Sequence, residues 1–149
     1  MTYYPQPDNP LPDVHFPGET STDAEVRTLG QVPIPAGFCG YVDLHAVARV
    51  LQASPAAESA WMTTLRTFCS KGLDGTPITV LGTGSPPGNI PVAGTSFIES
   101  ANWILSCKLV PSTDFPGMFD VIAKGRVGAT VHFDAKVSFG TGRVPGGDG

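Results

Sequence analysis

From Val127 to Phe139 every second residue is apolar: Val127, Ala129, Val131, Phe133, Ala135, Val137 and Phe139 alternate with Gly128, Thr130, His132, Asp134, Lys136 and Ser138. Successive side chains of a strand point to opposite faces, so this run predicts a half-buried strand. At roughly 3.3 Å per residue it would span about 40 Å, longer than strands usually run, so a bend or bulge is expected near Gly128 that lets it serve two sheets. The same period recurs upstream. Val42, Leu44, Ala46, Ala48 and Val50 share one side, with Asp43, His45 and Arg49 on the other. Trp61 to Ser70, Thr76 to Leu81, Phe97 to Val110 and Met118 to Gly125 supply further strands. Between them lie Gln52-Ala53-Ser54-Pro55, Gly82 to Gly88 and Pro111 to Gly117, segments whose Gly, Pro and Ser content marks turns.

Residues 1–36 do not follow this pattern. Pro5, Pro7, Pro10, Pro12, Pro17, Pro33 and Pro35 remove backbone donors and bias the chain to extended conformations. An extended N-terminal arm without a core of its own is expected. It would carry at most one short helix, at about 23–29, where Thr22-Asp23-Ala24-Glu25 has capping-box spacing and Gly30 offers a stop. Tyr3, Tyr4, Leu11 and Phe16 make the arm too apolar for a solvated linker. They are the candidate partner-binding residues, gaining burial only against a neighbour. The expected organisation is therefore an arm (1–36), a β domain (37–140) and a flexible tail (141–149).

Composition sharpens this picture. Of 149 residues, 18 are Gly and 15 are Pro, and only 15% are charged, which favours short strands and turns over solvated helices. The net charge is −4 and the cations are scattered, so no basic stripe suits a phosphate backbone, and nucleic acid is not an expected partner. No apolar run approaches the roughly 18–20 residues of a membrane span. The opening MTYYPQPDNPLPD has neither a basic nor an apolar leader region, so assembly in a cytoplasm is expected. Cys39, Cys69 and Cys107 are odd in number and lack CxxC spacing, which argues against a disulfide framework or a zinc site. They read as buried thiols, with a Cys69–Cys107 bridge left open.

Candidate chemistry is sparse. Asp43/His45 and His132/Asp134 invite a metal or acid/base site if their strands are neighbours, although such pairs are also what the polar face of an alternating strand presents. A cupin-type centre needs more ligands, and the third histidine, His15, lies on the arm. No GxSxG elbow is present, and the cysteines lack a basic setting. Gly82-Thr83-Gly84 opens no phosphate-binding helix, and Glu99, Asp114 and Asp120 stand apart. Trp61 and Trp103 sit in phase with apolar neighbours, as core residues do, although exposed they would suit sugar stacking. Neither enzymatic activity nor a cofactor, metal or catalytic residue is expected.

Phe119-Asp120-Val121-Ile122-Ala123-Lys124-Gly125 and Val131-His132-Phe133-Asp134-Ala135-Lys136-Val137, behind a Trp103-centred strand, resemble the small β-sandwich modules of tailed-phage virions. In those modules an xVxAxG-like segment precedes a strand whose aromatic, Ala and Val point inward. Phe133, Ala135 and Val137 hold these positions, with Phe where Trp is commoner. The resemblance spans about residues 40–140. It implies an antiparallel, jelly-roll-like β-sandwich and a homo-oligomeric virion protein. That protein would be a capsid decoration (cement) protein bound to the major capsid protein and to copies of itself. The alternative is a tail or head fibre module whose loops at 82–91 and 111–117 recognise host glycan. The absence of a trimerising repeat or shaft favours decoration.

Overall fold

The alternating runs fold as strands in a computed structural model that describes residues 11–53, 60–74, 77–82, 87–94, 97–98 and 106–140. In chain order these are β1 (Val14–Ser21), β2 (Val26–Pro33), β3 (Cys39–Ala53), β4 (Ala60–Ser70) and β5 (Thr79–Val80). They continue as β6 (Ile90–Pro91), β7 (Phe97–Ile98), β8 (Ser106–Pro111), β9 (Met118–Lys124) and β10 (Ala129–Phe139). There is no helix among the described residues. The larger sheet has the order β1-β10-β3-β4, and β5, β6 and β7 add short rungs along the far side of β4. The smaller sheet is β2-β9-β8, and every pairing is antiparallel. The result is a β-sandwich.

The core lies between the two inner faces. Val131, Phe133, Ala135 and Val137 of β10 and Val42, Leu44, Ala46 and Ala48 of β3 meet Phe119, Val121 and Ala123 of β9 and Cys107 and Leu109 of β8. Alternation thus delivers one apolar face per sheet, and packing the two together removes both from water. Two polar devices hold the edges. Asn89, at φ 53°, donates its N–H to Thr67 Oγ1 (2.9 Å). Its side chain both donates to the Leu109 carbonyl (2.8 Å) and accepts from the Leu109 N–H (2.9 Å), so one residue ties β4 to the edge of β8. Lys71 Nζ donates to the Ile34 carbonyl (2.8 Å) at the end of the sandwich where Phe38 is fully buried.

The N-terminal segment departs from expectation. β1 pairs with β10, and β2 pairs with β9, so the sandwich begins at Val14 and not at residue 37. Phe16, Val32 and Ile34 belong to the core. Phe16 packs so closely under Gly30 that a Cβ there would sit 2.5 Å from its ring. The sequence pattern concealed these strands because each carries a bulge, between Phe16 and Glu19 in β1 and between Thr28 and Gly30 in β2. An inserted residue flips the in/out phase, so a strict period of two is lost.

The expected helix at 23–29 is likewise a turn followed by strand β2. Asp23 Oδ1 accepts from the Glu25 N–H (3.0 Å), and Ser21 Oγ donates to the Asp23 carbonyl (3.0 Å). The same short polar side chains that cap helices here fasten a turn. β10 serves one sheet only. The bulge beside it falls on β3, where Thr130 faces Gln52 and Val131 faces Val50, leaving Leu51 unmatched. Gly128, at φ 84°, belongs to the turn before β10. The third expected strand shrinks to Thr79–Val80. Of the Phe97–Val110 run, residues 99–105 lie outside the described residues, as does the tail at 141–149.

Candidate functional site

The polar residues of β3 and β10 do lie on neighbouring strands, but their register separates them. His132 faces Arg49, Asp134 faces Val47, Lys136 faces His45 and Ser138 faces Asp43. The two Asp/His pairs therefore sit side by side without converging. Each group has another engagement. Asp43 takes a two-pronged ion pair from Arg66 on β4 (2.8 and 2.9 Å), and that guanidinium lies 3.9 Å over the Tyr41 ring. Tyr41 in turn stacks edge-on to Phe68 and covers Gly140 too closely for any side chain there. His45 bonds Ser138 Oγ through Nε2 (2.9 Å) and Thr64 Oγ1 through Nδ1 (3.1 Å).

His132 bonds Thr20 Oγ1 (3.0 Å), and its ring fills the space above Gly18 at the β1 bulge. Asp134 Oδ1 lies 3.5 Å from the same ring. Partial burial, with help from the Lys136 ammonium, holds the His45 imidazole below its ordinary value of 6.5 against the opposing carboxylates of Asp43 and Asp13. Among the described residues no three His, Cys, Asp or Glu side chains are grouped to hold an ion. Glu99 lies outside the described residues, and Asp120 accepts from Gln31 Nε2 (3.3 Å) on the outside of the smaller sheet.

Cys69 and Cys107 are buried free thiols, and no bridge joins them. Burial pushes Cys69 up to about 11 and Cys107 up to about 12, so neither forms a thiolate near neutrality. Cys39, expected to be buried, is exposed. Trp61 stands on β4 opposite Ala48, and Trp103 lies outside the described residues.

One concave feature among the described residues lies at the other end of β1. A pocket of about 250 Å³ is walled by Leu11, Pro12 and Val14 where the chain enters, by Pro33, Ile34 and Pro35 at the end of β2, and by Phe139 at the end of β10. Each described wall residue has an apolar side chain. The four residues Tyr3, Tyr4, Leu11 and Phe16 thus part company. Leu11 lines this pocket, Phe16 faces the protein's own core and is unavailable to a partner, and the two tyrosines lie outside the described residues. The sequence hid the pocket because its walls come from three separated segments. Its one local trace is the Val32-Pro33-Ile34-Pro35 alternation of apolar residues and prolines.

Large apolar side chains also stand in solvent at strand ends and turns, including Val26, Leu51, Leu73, Phe115 and Val127. No helix among the described residues is long and apolar enough to cross a membrane. No protein-family model matches the chain, and no curated protein or solved structure does so significantly.

Proposed function

We propose that the chain is a virion structural protein of a tailed phage, a capsid decoration or cement protein that stabilises the shell through contacts with the major capsid protein and with copies of itself. The observation that carries this reading is the pocket at the point where the N-terminal segment meets the sandwich, whose described walls are all apolar side chains. A pocket whose described walls are all apolar side chains suits the docking of an apolar partner segment. The exposed apolar residues at strand ends add further surface for a lattice neighbour. Because β1 and β2 belong to the body, the arm available for such contacts is residues 1–13 and not 1–36.

Density-gradient sedimentation of an infected-cell lysate, with antibody detection of this chain, tests the proposal. High copy number on full and tailless heads is expected. Confinement to tails would replace it with the fibre reading, and purely soluble protein would overturn both.

A further inference from the structure

We infer that Asn89 is an edge guard: its side-chain amide takes the place of a neighbouring strand along β8 and, with Pro111, keeps that edge from accepting an extended chain. The edge of a sheet presents a row of unpaired N–H and C=O groups that invites pairing, so an open edge has to be blunted. Of β1, β2 and β8, which each border a sheet, the first two are broken by a bulge, with Pro17 inside β1 and Pro33 at the end of β2. β8 alone of the three pairs in unbroken register, Ser106 to Pro111 against Lys124 to Phe119. That regularity makes it the edge best shaped to add a strand.

The backbone groups of successive strand residues point to opposite sides. Just past β8, the Ser112 N–H donates towards β9, to the Met118 carbonyl (3.0 Å), so Leu109 and Pro111 face the other way. On that outer side Asn89 Nδ2 donates to the Leu109 carbonyl (2.8 Å) and Asn89 Oδ1 accepts from the Leu109 N–H (2.9 Å), the two bonds that a residue of an added strand would make. Pro111 is exposed and has no N–H to offer. The loop holds the clasp in place. Asn89 stands at φ 53°, a left-handed conformation that Asn adopts more readily than most residues, and its N–H donates to Thr67 Oγ1 (2.9 Å). Ile90 then pairs with Arg66 of β4. Gly88, at φ 101°, lies so close to the larger sheet that a Cβ there would sit 3.2 Å from the Thr67 and Val80 side chains. A planar amide carries the donor and the acceptor that the Leu109 backbone needs, whereas a carboxylate would satisfy the N–H alone.

Two measurements on the full-length chain test this. Hydrogen exchange of the unaltered protein should find the Leu109 amide protected; an amide that exchanges like a free edge N–H would overturn the clasp without any variant. Asn89→Gly then removes the side chain while suiting the left-handed backbone, and Pro111→Val restores the missing donor. In the double variant at low concentration the Leu109 amide should exchange roughly tenfold faster, as for the loss of one hydrogen bond. As concentration rises, sedimentation velocity should show association beyond that of the parent, with the Leu109 amide protected again and cooperative melting retained. Recovered protection marks edges that pair, not unfolded chains that aggregate. Asn89→Gly alone should associate less than the double variant, because Pro111 still withholds its N–H. Folded variants that sediment like the parent at every concentration, or that associate while Leu109 stays unprotected, would overturn the guard.

Discussion

The two faces of the larger sheet are built on the same strands and solve opposite problems. On the inner face Leu44, Val42, Val131, Phe133 and Val137 are withdrawn from water and meet the smaller sheet. On the outer face the intervening residues are joined crosswise, Asp43 to Arg66, His45 to Ser138 and Thr64, and His132 to Thr20. The inner face is held by area and shape, which are unspecific in chemistry but exacting in volume. The outer face is held by pairs that depend on register, since a slip of one residue would exchange it with the core. What looked like two candidate acid/base pairs is, on this comparison, cross-strand bonding.

The largest expected effect comes from the centre of the inner face. Phe133→Ala should cost about 3–5 kcal/mol in chemical denaturation, through lost burial and a residual cavity. A cost under about 1 kcal/mol would mean that the two sheets do not pack as described. Next is Gly30→Ala, whose new Cβ meets the Phe16 ring and should cost about 1–3 kcal/mol by forcing that ring off its site. Arg66→Ala tests the outer face. It leaves the largely buried Asp43 carboxylate without its two donors and uncovers Tyr41, for a loss of about 1–3 kcal/mol.

A smaller effect tests His45. Its folded-state value lies below 6.5, so the unfolded chain binds this proton more readily, and stability falls as pH drops through 6.5 towards the folded value. His45→Gln should flatten that part of the stability–pH curve and leave the alkaline side unchanged. An equally steep acid limb in the variant would remove His45 from the account. Smallest of all, Lys136→Ala loses an exposed 3.7 Å pair with Asp13 and should stay within about 0.5 kcal/mol of the parent. Thiol labelling sharpens the same contrast chemically. Cys39 should react in the native protein, while Cys69 and Cys107 should react only after unfolding.

The strands that were legible are those whose alternation runs unbroken. β10, β9 and the first half of β3 were read to within a few residues because each buries one face throughout. β1 and β2 were not, since Pro17 reads as part of an extended arm, Gly30 as the stop of a short helix, and the bulges shift phase in mid-strand. Gly30 is required there by the Phe16 ring, and Gly18 by the His132 ring, reasons that lie on other strands. The cross-strand bonding of Asp43 and His45 was half legible. Their polar face followed from parity, but their partners Arg66, Thr64 and Ser138 follow only from register. Asn89 and Lys71 gave no signal, because a lone polar residue in a loop looks the same whether or not it ties two sheets together.

The most direct measurement of the central claim is to add the purified chain to heads that lack it and follow both binding and head stability against heat. The account predicts saturable binding at a copy number fixed by the lattice, a rise in the temperature at which heads rupture, and loss of both on removal of residues 1–10. Heads that neither retain the chain nor gain stability would contradict it.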